Sequence, residues 1–138
     1  MGKRLNLIEP KGFNEKLMWL NLFWQEPLKS KCADKYLIRE YVINKSCGEI
    51  LNPIYGVYDR PEDIKWGELP QKFVLKSTFG SGNNLICLDK NKMSIRDVNK
   101  ELERWLNPRI LNHTVQLHYS QKTNKILCEK YIESPQGV

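Results

Sequence analysis

Residues 73–88 constrain this chain more than any other stretch. Two short apolar runs, Phe73-Val74-Leu75-Lys76 and Leu85-Ile86-Cys87-Leu88, flank the small polar segment Ser77-Thr78-Phe79-Gly80-Ser81-Gly82-Asn83-Asn84. Apolar runs this short, bounded by glycine and small polar residues, read as two strands of a hairpin. Val115-Gln116-Leu117-His118-Tyr119 alternates like a further strand, and Ile126–Ile132 is another. Residues 50–58 read as extended, with Pro53 arguing for an edge position or for a strand that begins after it.

Around these strands lie three helical patterns. Asn14 is placed to cap a helix running through Glu26, with Leu17, Leu20, Phe23 and Trp24 at three- and four-residue steps and Pro27 ending it. A second helix starts near Ala33-Asp34 and carries Tyr36, Leu37, Tyr41 and Val42 to Lys45. Ser46-Cys47-Gly48 then closes it, the glycine supplying a left-handed turn. Ser94 caps a third helix to Leu106, with Ile95, Val98, Leu102, Trp105 and Leu106 on one face and Pro108 beyond its end. Arg60-Pro61-Glu62-Asp63 forms a short helical turn, and Leu69-Pro70 is a boundary. Two helices followed by strands mixed with one helix make the chain α+β or α/β. Its 138 residues suffice for one domain, which at this length buries roughly 68% of its unfolded surface.

Composition narrows the classes. Hydrophobic residues at 41% and charged residues at 28% are ordinary for a globular chain and exclude a disordered or collagenous one. Twenty-two Lys and Arg against sixteen Asp and Glu give a formal +6, which favours anionic partners without choosing among them. Cys32, Cys47, Cys87 and Cys128 form no CxxC pair and no zinc-finger spacing, so they read as free, mostly buried thiols of a reducing compartment. The N-terminal apolar run is too short for a signal peptide, and Asn6 stands where myristoylation expects Ser or Thr. No apolar run reaches membrane-spanning length, and a cytoplasmic location is the default.

Three places carry candidate chemistry. In the loop between the hairpin strands, Gly80 and Gly82 leave backbone amides unshielded, and Ser77, Thr78 and Ser81 add hydroxyls. Such a loop either folds over phosphate oxygens or is an ordinary glycine hairpin. Lys76 would set a positive charge beneath it. The pattern is not a Walker loop, because there is no GK[ST] and the lysine precedes the glycines. Asp34-Lys35 opens a helix, as a cap with a solvated charge or as a ligand contact. Glu129 enters an apolar run, as a strand-edge charge or as an acceptor for a ligand donor. His113 and His118 have no carboxylate or cysteine at recognisable spacing and read as structural or surface residues.

Taken together, the order and spacing of these segments resemble the ATP-grasp superfamily, specifically the TupA-like proteins of bacterial surface-polysaccharide clusters. The resemblance runs over Asn14–Leu20, Lys31–Val42, Tyr55–Asp59, Leu69–Asn84 and Ile126–Ile132, nearly the whole chain from about residue 12. It implies an α+β fold in which N-terminal helices precede part of an ATP-grasp fold, a mixed or antiparallel sheet with helices. Residues 1–70 would form a helical subdomain carrying the Asp-Lys segment, and 71–138 the subdomain with the glycine-rich loop.

The resemblance further implies that ATP is the cofactor. Lys35 and Lys76 would contact its phosphates, and the loop with Ser77, Gly80, Ser81 and Gly82 would close over them. Glu129 would accept from the adenine amino group, with the main chain of Lys130 to Ile132 along the ring edge. Glu133, or else Gln136, stands where a ribose-binding acid is expected. The family's magnesium ligands lie beyond the adenine strand, so this chain is expected to carry no metal ligand and no catalytic residue. It is expected to be the nucleotide-binding part of a carboxylate–amine ligase, inactive alone. Its other partner would be an acidic polysaccharide or precursor. A different class, a small basic nucleic-acid-binding module, rests only on the +6 and on four Trp and six Tyr, whose spacing is mostly that of a core. A glycosyltransferase reading finds no DxD motif for support.

Overall fold

The computed structural model describes residues 4–24, 26–107 and 124–133. Among these residues four strands, β1 (Ile54–Tyr58), β2 (Phe73–Ser77), β3 (Asn84–Cys87) and β4 (Ile126–Lys130), form one sheet in the order β1-β4-β2-β3 with every neighbour antiparallel. With the helices this is an α+β fold. β1 follows Pro53 and lies at one edge, where a missing proline N–H breaks no ladder. The predicted hairpin forms as β2 and β3. The expected strand at Val115–Tyr119 lies outside the described residues, as do His113, His118 and Gln136.

Alternation along β2 sorts its side chains between two faces. Phe73, Leu75 and Ser77 are fully buried, while Val74 and Lys76 are half-buried on the other face. The helix α4 (Ile95–Leu106) covers the first face. Ser94 caps it by accepting from the Asp97 N–H, and Val98, Leu102 and Trp105 pack with Phe73, Leu75, Ile126 and Cys128. Ile95, expected on the apolar face, is instead exposed because it begins the first turn, ahead of the covered part of the sheet.

The N-terminal helices depart from the sequence reading. The first, α1, spans Phe13–Phe23, and its cap is Gly12 rather than Asn14. The Glu15 carboxylate, at the third helical position, reaches back to accept from the N–H groups of Lys11 and Gly12. Pro27 does not end this helix; it opens α2 (Pro27–Ala33), where its missing N–H is harmless. The single helix expected from Ala33 is split, with α3 (Ile38–Asn44) following a turn at Asp34–Leu37. Ser46, not Gly48, takes the left-handed conformation (φ 58°), and Gly48 starts a 3-10 turn. The periodic face of α1 is no core: Leu17, Leu20, Phe23, Trp19 and Trp24 are all exposed.

All four cysteines are free thiols, but only Cys87 and Cys128 are buried. Burial pushes the Cys128 thiol up to about 12, with the Glu129 charge adding to it, and burial raises Cys87 as well. Iodoacetamide at pH 8 is therefore expected to alkylate the exposed Cys47 promptly and Cys128 only after denaturation, as read by peptide mass spectrometry. Rapid labelling of Cys128 in the folded protein would contradict the packing beneath α4. Among the described residues, no helix is long and apolar enough to cross a membrane.

Candidate functional site

The sheet face turned away from α4 carries two of the predicted ligand residues, Lys76 and Glu129. In the β2–β4 ladder Val74 stands opposite Glu129 and Lys76 opposite Leu127. Lys76 and Glu129 are therefore diagonal neighbours on one face, within reach of long side chains. The Lys76 ammonium meets Glu129 Oε2 at 2.6 Å, with the carboxylate largely buried. Glu129 is thus a partnered buried acid rather than a strand-edge charge.

Lys35 reaches the same place from the turn between α2 and α3. The buried Asp34 carboxylate accepts from the N–H groups of Tyr36 and Leu37 at 2.8 and 2.9 Å, which sets the turn. The Lys35 N–H then donates to the Thr78 carbonyl at 2.9 Å. Its ammonium donates to the carbonyls of Ser77 (2.9 Å) and Gly80 (2.7 Å). Burial lowers the Lys35 pKa, and the Lys76 charge lowers it further; the charges of Asp34 and Glu129 pull the other way. Lys35, Lys76, Glu129 and the glycine-rich loop therefore form one cluster.

The loop itself is unevenly held. Gly80 (φ 77°) and Gly82 (φ 87°) both take left-handed conformations that side chains disfavour, which explains two glycines so close together. Of the three expected hydroxyls, only that of Ser81 is on an exposed residue. Ser77 and Thr78 are fully buried, and their hydroxyls lie 2.9 and 3.2 Å from Asn124 Oδ1. The same oxygen accepts from the Phe79 N–H at 3.1 Å, while Asn124 Nδ2 donates to the Trp105 carbonyl at 2.8 Å. The Thr78 hydroxyl in turn accepts from the Lys125 N–H. Asn124 thus ties the start of the loop to the end of α4. Sequence reasoning missed it, because a lone asparagine ahead of a strand carries no signal until the β2–β4 register sets it beside residues 77–79.

Lys130 and Ile132 lie elsewhere, in the lining of a cavity of about 600 Å³ beyond the end of β4, together with Asn52, Pro53, Lys72 and Glu133. The Lys130 N–H donates to the Pro53 carbonyl at 2.9 Å, and the Lys130 carbonyl accepts from Asn52 Nδ2 at 2.8 Å. Of the Lys130 main chain, only the carbonyl's second lone pair is left for a ligand. Glu133 forms an ion pair with Lys72 at the rim; its hydrogen bond to that ammonium lowers its pKa. Asn52 was also unforeseen, since only the β1–β4 pairing brings it to Lys130.

A family of proteins described as TupA-like ATPgrasp matches residues 15–138. No curated protein and no solved structure matches the chain.

Proposed function

Because the chain belongs to the TupA-like ATP-grasp family, we propose that the cluster of Lys35, Lys76 and Glu129 binds ATP in a carboxylate–amine ligase of bacterial surface-polysaccharide assembly. The observation that carries the reading is the pairing of Lys76 with Glu129 on one sheet face beneath the glycine-rich loop. Polyphosphate needs cationic and amide donors, which Lys76 and the Gly80–Gly82 backbone offer. Adenine presents an amino donor where guanine presents a carbonyl. Glu129 accepts hydrogen bonds and so favours adenine, and one of its oxygens already lies against Lys76. The separate cavity lined by Lys130 and Ile132, next along the chain after Glu129, is assigned to the ring edge and the sugar. The formal +6 suits an acidic polymer as the other substrate.

The family's magnesium finds no fitting donor set among the described residues. Among the described residues no three His, Cys, Asp or Glu side chains come together, and Glu129 is engaged by a lysine. No step is therefore assigned through a metal held by these residues. What they do is hold phosphate oxygens, exclude water and orient the base.

Isothermal titration with β,γ-imido-ATP tests the reading. The parent chain is expected to bind it in preference to the guanosine analogue. Exchanging Lys35 and Lys76 together for alanine is expected to weaken binding by at least about tenfold, since each lysine supports a charge-assisted contact. Unchanged affinity in a double variant with a native circular-dichroism spectrum would sink the assignment.

A further inference from the structure

The Lys35 ammonium sits on two backbone carbonyls of the glycine-rich loop, and this contact has a directional consequence. All described peptide bonds are trans. In a trans peptide the C=O and the following N–H point in opposite directions. With the Gly80 carbonyl held by Lys35 at 2.7 Å, the Ser81 N–H must point away from Lys35. Ser81 is exposed, and its N–H has no hydrogen-bond partner among the described residues. Left-handed glycines flank Ser81, and turns of this kind can present backbone N–H groups to an anion.

We propose that Lys35 is a positioning residue: its ammonium pins the Gly80 carbonyl and so aims the Ser81 N–H outward as a donor for a phosphate oxygen. The identity of that anion as part of a nucleotide rests on the reading above; the orientation of the peptide does not. Lys35 then acts on the ligand through the loop, and Lys76 is left as the cation available for direct contact. The lowered pKa of Lys35 agrees with an enclosed ammonium, since burial is its first cause. The backbone bond from Lys35 N–H to the Thr78 carbonyl does not depend on the side chain, so the turn can survive its replacement.

The test is amide resonance spectroscopy on the whole chain, with inorganic triphosphate and β,γ-imido-ATP as probes. In the parent, either probe is expected to shift the Ser81 amide. In Lys35→Met the Ser81 amide is expected to move already in the free protein, its probe-induced shift to vanish and affinity to fall about tenfold. Lys76→Gln is expected to weaken binding yet leave the Ser81 shift at saturation intact. If Lys35→Met fails to fold, Lys35→Ala, which likewise removes both the donor and the charge, supplies the same comparison. Lower affinity with the Ser81 resonance unaltered, both free and saturated, would overturn the proposal and make Lys35 a direct phosphate ligand. If the parent binds neither probe, the nucleotide reading fails. The positioning role is then judged by the free-state Ser81 resonance alone, which must move on replacement of Lys35.

Discussion

Asn124→Ala is expected to lower the free energy of unfolding by about 3 kcal/mol. Each net buried hydrogen bond contributes ~1 kcal/mol, and donors left without partners add a desolvation penalty. The asparagine joins the Phe79 N–H and the Thr78 hydroxyl to the Trp105 carbonyl, all within the protein interior. Alanine removes these hydrogen bonds and leaves a small void, while the Thr78 hydroxyl keeps the Lys125 N–H. The Ser77 hydroxyl suffers less, because it also lies 2.6 Å from the Phe79 carbonyl. Asn124→Asp separates acceptor from donor. The carboxylate can still accept from Phe79 and Thr78 but opposes the Trp105 carbonyl, so this variant should also be destabilised at neutral pH. Burial raises such a carboxyl's pKa in the folded state, so folding favours its protonated form. The Asp variant should therefore regain stability as pH falls, when the acid again carries a donor. Urea titration followed by tryptophan fluorescence measures all three proteins. A loss below about 1 kcal/mol in the alanine variant would mean that water replaces the network.

The second large effect is an asymmetry within the Lys76–Glu129 pair. The Glu129 side chain is 10% exposed and that of Lys76 is 32% exposed. Lys76→Met leaves a buried carboxylate without its counter-charge and is expected to cost about 3 kcal/mol, the lower end of what breaking a buried pair costs. Glu129→Gln leaves a lysine that can turn toward water and should cost roughly 1 kcal/mol. Combining Lys76→Met with Glu129→Leu removes both charges and is expected to restore stability to within about 1 kcal/mol of the parent. That double variant should fold and fail to bind nucleotide. Equal losses from the two single changes would show that the pair is solvated rather than enclosed.

These two networks mark what the sequence could and could not announce. β2, β3 and α4 were legible because short apolar runs, a glycine loop and a serine cap each signal locally. The Ser94 cap and the Val98–Leu102–Trp105 face formed as expected. α1 misled because helical periodicity reports an apolar stripe, not its burial; its Leu, Phe and Trp side chains are exposed. The left-handed turn fell on Ser46 because glycine preference is a tendency that the local path of the chain can override. Lys76 and Glu129 could be named one at a time, yet their contact across 53 positions follows only from the β2–β4 register. Lys35 lies 45 positions from Gly80, and nothing in either segment advertises the other.

The glycine-rich loop is a cantilever. Its incoming arm, Ser77 to Phe79, is clamped by Asn124, Lys125 and Lys35 in the interior. Its outgoing arm returns through Asn83 into β3, which among the described residues pairs only with β2. A load on the tip would therefore bend the soft arm and rock that strand. Lys76 and Glu129 stand on the two central strands, behind the clamp. A swing of the loop would pass over them and leave their spacing unchanged.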